Sequence, residues 1–502
     1  MNRIVTIPLL GVAAVSALNS SCASEKKKMN VLLIVADDLN WSSIHAWGSK
    51  VADITPNLDR LVTQSLLFRN AHVAAAVSQP SRGALATGMY PHTSGVEGFN
   101  HTEGPVPTVM SELRSHGYRV GILGKCGHST PDESFQWDMR YDQNELGQGR
   151  NPQIYANYLR QFIRDSKKEG KPFYFMANSH DPHRPFHGSP QDLKWREKGD
   201  YPLPSRVYTP DEVEVPGFLP DIDAVRLELS QYFSSVRRFD DFVGAVLQVL
   251  EEEGISDQTA VFFLSDNGMS QPFAKTNAYY NSTRTPLMVR YPGVTKAGTV
   301  DNTNFVSGID FMPTVLESLG YAIPKGVDGR SYFDLLKGKT QKGRDKVFTQ
   351  FYETSGKNRY PMFAVQDAKY LFIYNSWSDG KYRFRNDSQG GIAFAGMVEA
   401  GKTDPYIQSR VNLLLYRVPL ELYDLEKDPD ALVNLAQEDK YQDVVKKYSN
   451  DLLGWMKRYD PTVVSAFSAF LKGSGDAERL KYMEEQNKIP KERKTYSAKD
   501  SD

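Results

Sequence analysis

The sequence predicts an α/β fold built on a large, mostly parallel sheet, followed by a smaller α+β part with an antiparallel sheet. Three observations predict it. Near-continuous apolar runs of five or six residues recur between polar or Gly-rich stretches, as in strands buried on both faces. Amphipathic helical patterns alternate with those runs, the arrangement of a sheet covered by crossover helices. After about residue 345 the apolar runs become short and aromatic-rich between turn signals, the texture of antiparallel strands.

In chain order the first element is a leader. Met1-Asn2-Arg3 is a short basic start, residues 4–18 are apolar but too few to span a bilayer as a stable helix, and Cys22 stands between Asn19-Ser20-Ser21 and a polar run ending in Lys26-Lys27-Lys28. The pattern resembles a bacterial lipoprotein signal with Cys22 as the lipidated residue; ordinary signal-peptide cleavage is the alternative. Either implies export, and the lipid form implies a periplasmic or cell-surface protein held to the membrane by that anchor alone. The only other cysteine is Cys126, so a chain lipidated at Cys22 has no intramolecular disulfide.

Strands are expected over 31–36, 118–123, 173–177, 260–264 and 286–290. Helices are expected over 57–67, 108–116 and 221–253. In the last, Leu229, Phe233, Val236, Phe239, Val243, Val246 and Leu250 form an apolar stripe, and Glu228, Arg237, Arg238, Asp240 and Glu251 a polar face. Short strands over 370–374 and 420–423 and a helix over 441–456 belong to the second part. The charged, proline-broken stretch from Glu484 reads as a surface tail. The expected division is a leader over 1–22, a catalytic domain over 29–345, a C-terminal subdomain over 346–483 and a tail over 484–502.

Composition bounds the function. With 40% hydrophobic residues the chain has material for a large core, which excludes a disordered, collagen-like or disulfide-stapled protein. Lys+Arg number 60 against 61 Asp+Glu, and that balance argues against a dedicated nucleic-acid binder, which needs a basic excess.

In an open α/β sheet, ligands collect at the carboxyl ends of the strands. Just past four expected strands stand Asp37-Asp38, Lys125 with His128, Ser179-His180-Asp181-Pro182-His183, and Asp266-Asn267. Taken singly, each is an ordinary turn or helix cap; together they make a candidate site. Asp37, Asp38, Asp266 and Asn267 offer only oxygen donors, which suit Ca²⁺ or Mg²⁺ rather than Zn²⁺. All nine histidines lie between His45 and His187, which points to acid–base chemistry in the first half of the large domain.

The segment Val77-Ser78-Gln79-Pro80-Ser81-Arg82-Gly83 then resembles the signature of the type I sulfatases: Cys or Ser, any residue, Pro-Ser-Arg, then a helix. Pro80 suits the first turn of a helix, which places Ser78 at the helix's positive end, where a sulfate anion and a developing alkoxide are stabilised. Thr55-Pro56-Asn57-Leu58-Asp59, the run 117–125, and Leu422-Tyr423-Asp424-Leu425 with Asp428-Pro429 and Asn434-Leu435 resemble further motifs of the same family, in order. One departure stands out: the family's Gly-Lys-x-His reads Gly124-Lys125-Cys126-Gly127-His128 here. Either the loop bulges through Gly127 or His128 is structural.

The resemblance implies an alkaline-phosphatase-like sandwich and a defined chemistry. Ser78 is oxidised to formylglycine by a serine-type radical maturase before export, and the hydrated aldehyde supplies the nucleophile and later expels sulfate, which plain serine cannot do. Asp37, Asp38, Ser78, Asp266 and Asn267 hold a divalent cation, Ca²⁺ or Mg²⁺. Arg82 and Lys125 stabilise the diol and the transferring group, Lys275 (or, as a substitute, Arg284) grips the sulfate, and His180 protonates the leaving group. The run 178–184, with 266–277 and 215–221, most resembles the sulfamidases, which act on N-sulfoglucosamine of heparan chains, and His183 is a second candidate for protonating nitrogen. The alternatives are an O-sulfatase on a glycosaminoglycan or host glycan, a phosphomonoesterase or phosphonate hydrolase of the same superfamily, and an inactive lipoprotein that binds sulfated glycan.

Overall fold

A computed structural model of the chain describes residues 28–493; Cys22, with the rest of the leader, and the last nine residues lie outside them. Twelve strands follow in chain order: β1 (Asn30–Asp37), β2 (Leu66–His72), β3 (Arg119–Leu123), β4 (Met139–Tyr141), β5 (Phe173–Pro182), β6 (Thr259–Ser265), β7 (Leu287–Arg290), β8 (Thr299–Ser307), β9 (Lys346–Glu353), β10 (Arg359–Asp367), β11 (Tyr370–Asn375) and β12 (Leu420–Asp424). The first eight form one sheet in the order β4-β3-β5-β1-β6-β7-β2-β8, and the last four a second sheet, β12-β11-β10-β9. All ladders of the large sheet are parallel except those that β7 makes with β6 and β2. The small sheet is antiparallel throughout.

β1 shows why this sheet forms. Val31, Leu33 and Val35 join one apolar layer and Leu32, Ile34 and Ala36 the other, so a strand with no polar side chain between Asn30 and Asp37 is buried on both faces. β5 and β6 flank it in parallel, with Leu33 opposite Met176 on one side and Phe262 on the other. Such strands end together, so Asp37, Pro182 and Ser265 lie at one edge of the sheet. The layer that holds Leu32 and Ile34 continues without a break into Phe351, Phe363, Phe372 and Leu422 of the small sheet, so the two sheets share one core.

The structure corrects several local expectations. The helix expected over 57–67 is Pro56–Val62, and Leu66 and Leu67 open β2 instead. Leu66 and Phe68 face one layer and Leu67 the other, a period of two that pairing with β7 selects over the helical one. The long helix is Asp223–Glu252, but most of its expected polar face is buried. Glu228 pairs with Arg184, Arg238 with Asp181 at 2.7 Å, and Asp240 accepts from the backbone N–H groups of Asn57 and Leu58, while Glu251 remains exposed. Neighbours cover much of the helix beyond its apolar stripe, and its buried charges are matched by theirs. Residues 484–492 lie mostly at the surface but are helix rather than a proline-broken tail, with Gln486 buried. They continue the helix Ala477–Glu492, which buries Tyr482, Met483 and Gln486, and Arg493 pairs with Glu353 at 3.0 Å and Glu97 at 3.4 Å.

Candidate metal centre and active site

The ends of β1 and β6 are knitted together. Asp38 N–H donates to Asp266 Oδ1 at 3.0 Å, Leu39 N–H to Ser265 Oγ at 2.9 Å, and Asp266 N–H to the Ala36 carbonyl at 3.1 Å. These bonds place the carboxylates of Asp37, Asp38 and Asp266 together with no solvent contact, each offering an oxygen within 4.8 Å of the others. Asn267 Nδ2 donates to Asp38 Oδ1 at 2.7 Å, which leaves its Oδ1 buried and without a hydrogen-bond partner. An orphaned amide oxygen beside three buried carboxylates is a donor set that fits a hard divalent cation.

Ser78 is the first residue of the helix Ser78–Thr87, whose ten residues are all buried. Val77 before it is extended, Pro80 lies in the first turn, and Ser78 Oγ donates to Asp37 Oδ1 at 3.3 Å. One turn on, Arg82 donates to Asp266 Oδ2 (3.1 Å), Asn178 Oδ1 (2.7 Å) and Asp37 Oδ1 (3.4 Å). Lys125, held at a positive φ of 50° between β3 and a short turn, brings Nζ to 2.7 Å from Asp37 Oδ2. Lys275 Nζ lies 2.8 Å from Asp38 Oδ2 and 3.1 Å from Asp387 Oδ2. Arg284, the substitute considered for it, stacks on Trp41 and donates to the Arg69 carbonyl, away from the carboxylates.

Electrostatics separates the three carboxyls. Burial pushes Asp37 up, but Lys125, His183, Arg82 and Lys275 outweigh it and hold the group well below the usual range. Burial raises Asp38 to about 7 against the pull of Lys275, with Asp37, Asp266 and Asp387 adding to the rise. Asp266 rises to about 6 by burial, against Arg82 and with Asp37. Three cations thus face three central carboxylates. A dication added there leaves the pocket positive, as an anionic substrate needs.

β5 extends past the expected end at 177, so Asn178, Ser179, His180, Asp181 and Pro182 are its last residues rather than a following loop. Arg150 holds this end by donating to the carbonyls of His180 (3.3 Å) and His183 (3.0 Å). His180 Nε2 accepts from the Lys125 N–H at 3.3 Å and faces Asp142 Oδ1 at 3.7 Å. Burial, then Lys125, lowers His180 to about 4 despite Asp142, so it is neutral near pH 7. His183 turns toward the centre, its Nε2 3.8 Å from Asp38 Oδ2, while Nδ1 meets the Arg184 carbonyl. His128 is buried, edge-on to Phe99 at 5.2 Å, with Nδ1 unpaired among the described residues. Burial, then Lys125 and Arg82, holds it well below its ordinary range.

Sequence reasoning missed Asn178, Asp142 and Asp387. Asn178 opens the run 178–184 singled out for its resemblance, but it was given no role there. Asp387 comes from a loop of the second part and carried none. The clustering of histidines proves no guide. His45 pairs with Asp59, His72 with Thr283, His92 with Glu97 and His101 with the Thr130 carbonyl, while His116 stacks on Tyr321 and the His187 N–H donates to Ser235; His128, His180 and His183 are those near the carboxylates.

Comparison with known proteins supplies the context. The sulfatase family profile matches residues 29–321, and the profile described as N-sulphoglucosamine sulphohydrolase, C-terminal, matches 268–386. The human N-sulphoglucosamine sulphohydrolase is 30% identical over 466 residues, covering 86% of this chain and 91% of that one. An N-acetylglucosamine-6-O-sulfatase of Bacteroides thetaiotaomicron is 24% identical, covering 73% and 83%. Among solved structures, one bound to its substrate D-glucosamine-2-N,6-O-disulfate superposes with a TM-score of 0.65 at 18% identity, covering 87% of this chain and 99% of that one. A 2-O glycosaminoglycan sulfatase gives 0.65 at 19%, covering 87% and 94%. These superpositions show the fold, the alkaline-phosphatase-like sandwich.

Proposed function

The chain belongs to the sulfatase family, hydrolases of sulfate esters and sulfamates, and we propose that it removes the N-sulfate of N-sulfoglucosamine in heparin or heparan sulfate. One observation carries the choice of substrate: the likeness to N-sulphoglucosamine sulphohydrolase covers 86% of this chain, and the match to the C-terminal profile of that enzyme over 268–386 takes in Lys275.

Ser78, as formylglycine, would provide a geminal diol whose one hydroxyl attacks sulfur and whose other expels sulfate. Asp37, Asp38, Asp266 and Asn267 would hold Ca²⁺ or Mg²⁺, which supplies charge to the sulfate oxygens and acidifies the attacking hydroxyl. Arg82 is fixed by three acceptors, so it meets the developing charge without reorganising. Lys125 and Ser78 both contact the Asp37 carboxylate, Lys125 at Oδ2 and Ser78 at Oδ1, so Lys125 would serve the diol, and Lys275 would grip the sulfate from the Asp38 side. His180, neutral in the free protein, would take up a proton when the anionic substrate enters and pass it to the departing nitrogen. His128 Nδ1 has no hydrogen-bond partner among the described residues, and the ring packs edge-on to Phe99, so its role in this reading is structural.

A serine-type radical maturase would make the conversion before export. Anchoring through lipidated Cys22 accords with the leader, and no described helix is long and apolar enough to cross a membrane. The test is sulfate release from N-sulfoglucosamine beside N-acetylglucosamine 6-sulfate, with Ser78 conversion verified by peptide mass. Release from the N-sulfated sugar alone is expected; release from the 6-sulfate alone would move the assignment to an O-sulfatase, and binding without release of either would favour the inactive glycan-binding alternative.

A further inference from the structure

Lys275 sits on a turn its own residues do not favour. Phe273 and Thr276 hold φ of 66° and 63°, a region that costs a non-Gly residue on the order of 1 kcal/mol or more. Part of the restraint is local: Lys275 N–H donates to the Met269 carbonyl at 3.0 Å and Thr276 N–H to the Ala76 carbonyl at 2.7 Å. The rest comes from a loop between β11 and β12, more than a hundred residues on. Asn386 Nδ2 donates to Thr276 Oγ1 at 2.7 Å, and Asp387 Oδ2 lies 3.1 Å from Lys275 Nζ. Asp387 is itself fixed, accepting from Ser270 Oγ at 3.2 Å and Ser388 N–H at 3.1 Å.

The Lys275 ammonium therefore hangs between two carboxylates with different duties. Asp38 belongs to the set that fits a metal, and a cation there competes with Lys275 for the same oxygens. Asp387 is the other carboxylate in contact with Lys275, and Asn386 and Ser270 keep it in place. A lysine stem carries about 2 kcal/mol of rotamer freedom, so an ammonium released by Asp38 needs another anchor to stay aimed. We propose that Asp387 is a positioning residue: it holds the Lys275 ammonium for the sulfate once Asp38 is engaged, so that a loop of the C-terminal part sets the aim of a cation in the catalytic part. The inference rests on the reading of Lys275 as the sulfate-binding cation.

The test compares Asp387→Asn, Lys275→Ala and the double variant, all with Ser78 converted. It reads kcat and KM on N-sulfoglucosamine and inorganic sulfate binding by calorimetry. Asp387→Asn keeps the size and the Ser270 contact and removes the charge. Its kcat/KM is expected to fall about tenfold and inorganic sulfate to bind at least about threefold more weakly, although the pocket has become more positive; the double variant is expected to match Lys275→Ala. Tighter sulfate binding in Asp387→Asn would mean that Asp387 merely offsets charge, and multiplicative losses in the double variant would mean that it acts apart from Lys275; either overturns the inference. Parent-like turnover in Lys275→Ala would instead remove Lys275 from the proposed function. Should Asp387→Asn fail to fold, Asp387→Glu, which keeps the charge at longer reach, is expected to lie between parent and Lys275→Ala, and parent-like values there would count against the positioning role.

Discussion

Replacing Arg82 with methionine separates the two tasks this side chain performs. It is the one charged residue of a fully buried helix, and it spans Asp37 and Asp266, both without solvent contact. Methionine fills most of the volume but leaves two buried carboxylates without their shared countercharge. Breaking a buried pair from one side costs about 3–5 kcal/mol. In chelator, denaturant unfolding of Arg82→Met should show a loss of that order. Saturating Ca²⁺ should restore much of it, since the cation supplies the missing charge to the same oxygens and stabilises by about 2.7 kcal/mol at a hundredfold excess over Kd. Activity should not return with the metal: a preorganised donor to the developing charge is worth about 10²–10³ in kcat. Arg82→Met as stable as the parent in chelator, or regaining turnover when Ca²⁺ is added, would refute the reasoning.

Other expectations follow from the same bookkeeping of buried groups. Asp240→Ala strips acceptors from the backbone N–H groups of Asn57 and Leu58, and denaturant unfolding should show a loss of about 2–4 kcal/mol with kcat of the folded enzyme unchanged. His72, held down to about 3 chiefly by burial and then by Arg284, is neutral in the fold. Its contribution is whole above pH 6.5 and is lost as pH falls toward 3, so at pH 5 it costs about 2 kcal/mol, and His72→Gln should flatten that part of the acid limb in pH-dependent unfolding. Truncation before the helix Ala477–Glu492 removes the buried side chains of Tyr482, Met483 and Gln486 and the Arg493 pairs. Thermal unfolding should then begin well below that of the full chain; an unchanged transition would restore the reading of this stretch as a tail.

How much was legible depended on whether a feature was written in one stretch of chain. β1, β5 and β6 announced themselves because strands buried on both faces are apolar without interruption, and their common ends led to Asp37, Asp38, Asp266 and Asn267. The helix that begins at Ser78 followed from Pro80. β8 did not show, because its nine residues, TVDNTNFVS, are mostly polar at a sheet edge and bury only Phe305 and Val306. β4 has three residues and no periodicity to read. The polar face of the long helix was misread because its partners, Asp181, Arg184 and Asn57, lie far off in sequence. Asp387 was invisible for the same reason: nothing in its neighbourhood speaks of Lys275.

The central claim is that a converted Ser78 performs sulfate hydrolysis. Protein made with and without a serine-type maturase would be assayed for sulfate release from N-sulfoglucosamine. The fraction of Ser78 peptide lacking two hydrogens would be measured in each batch. Release proportional to that fraction, and none from Ser78→Ala, is the predicted result. Release from unconverted protein at the same rate, or none from fully converted protein on any sulfated sugar, would contradict the account.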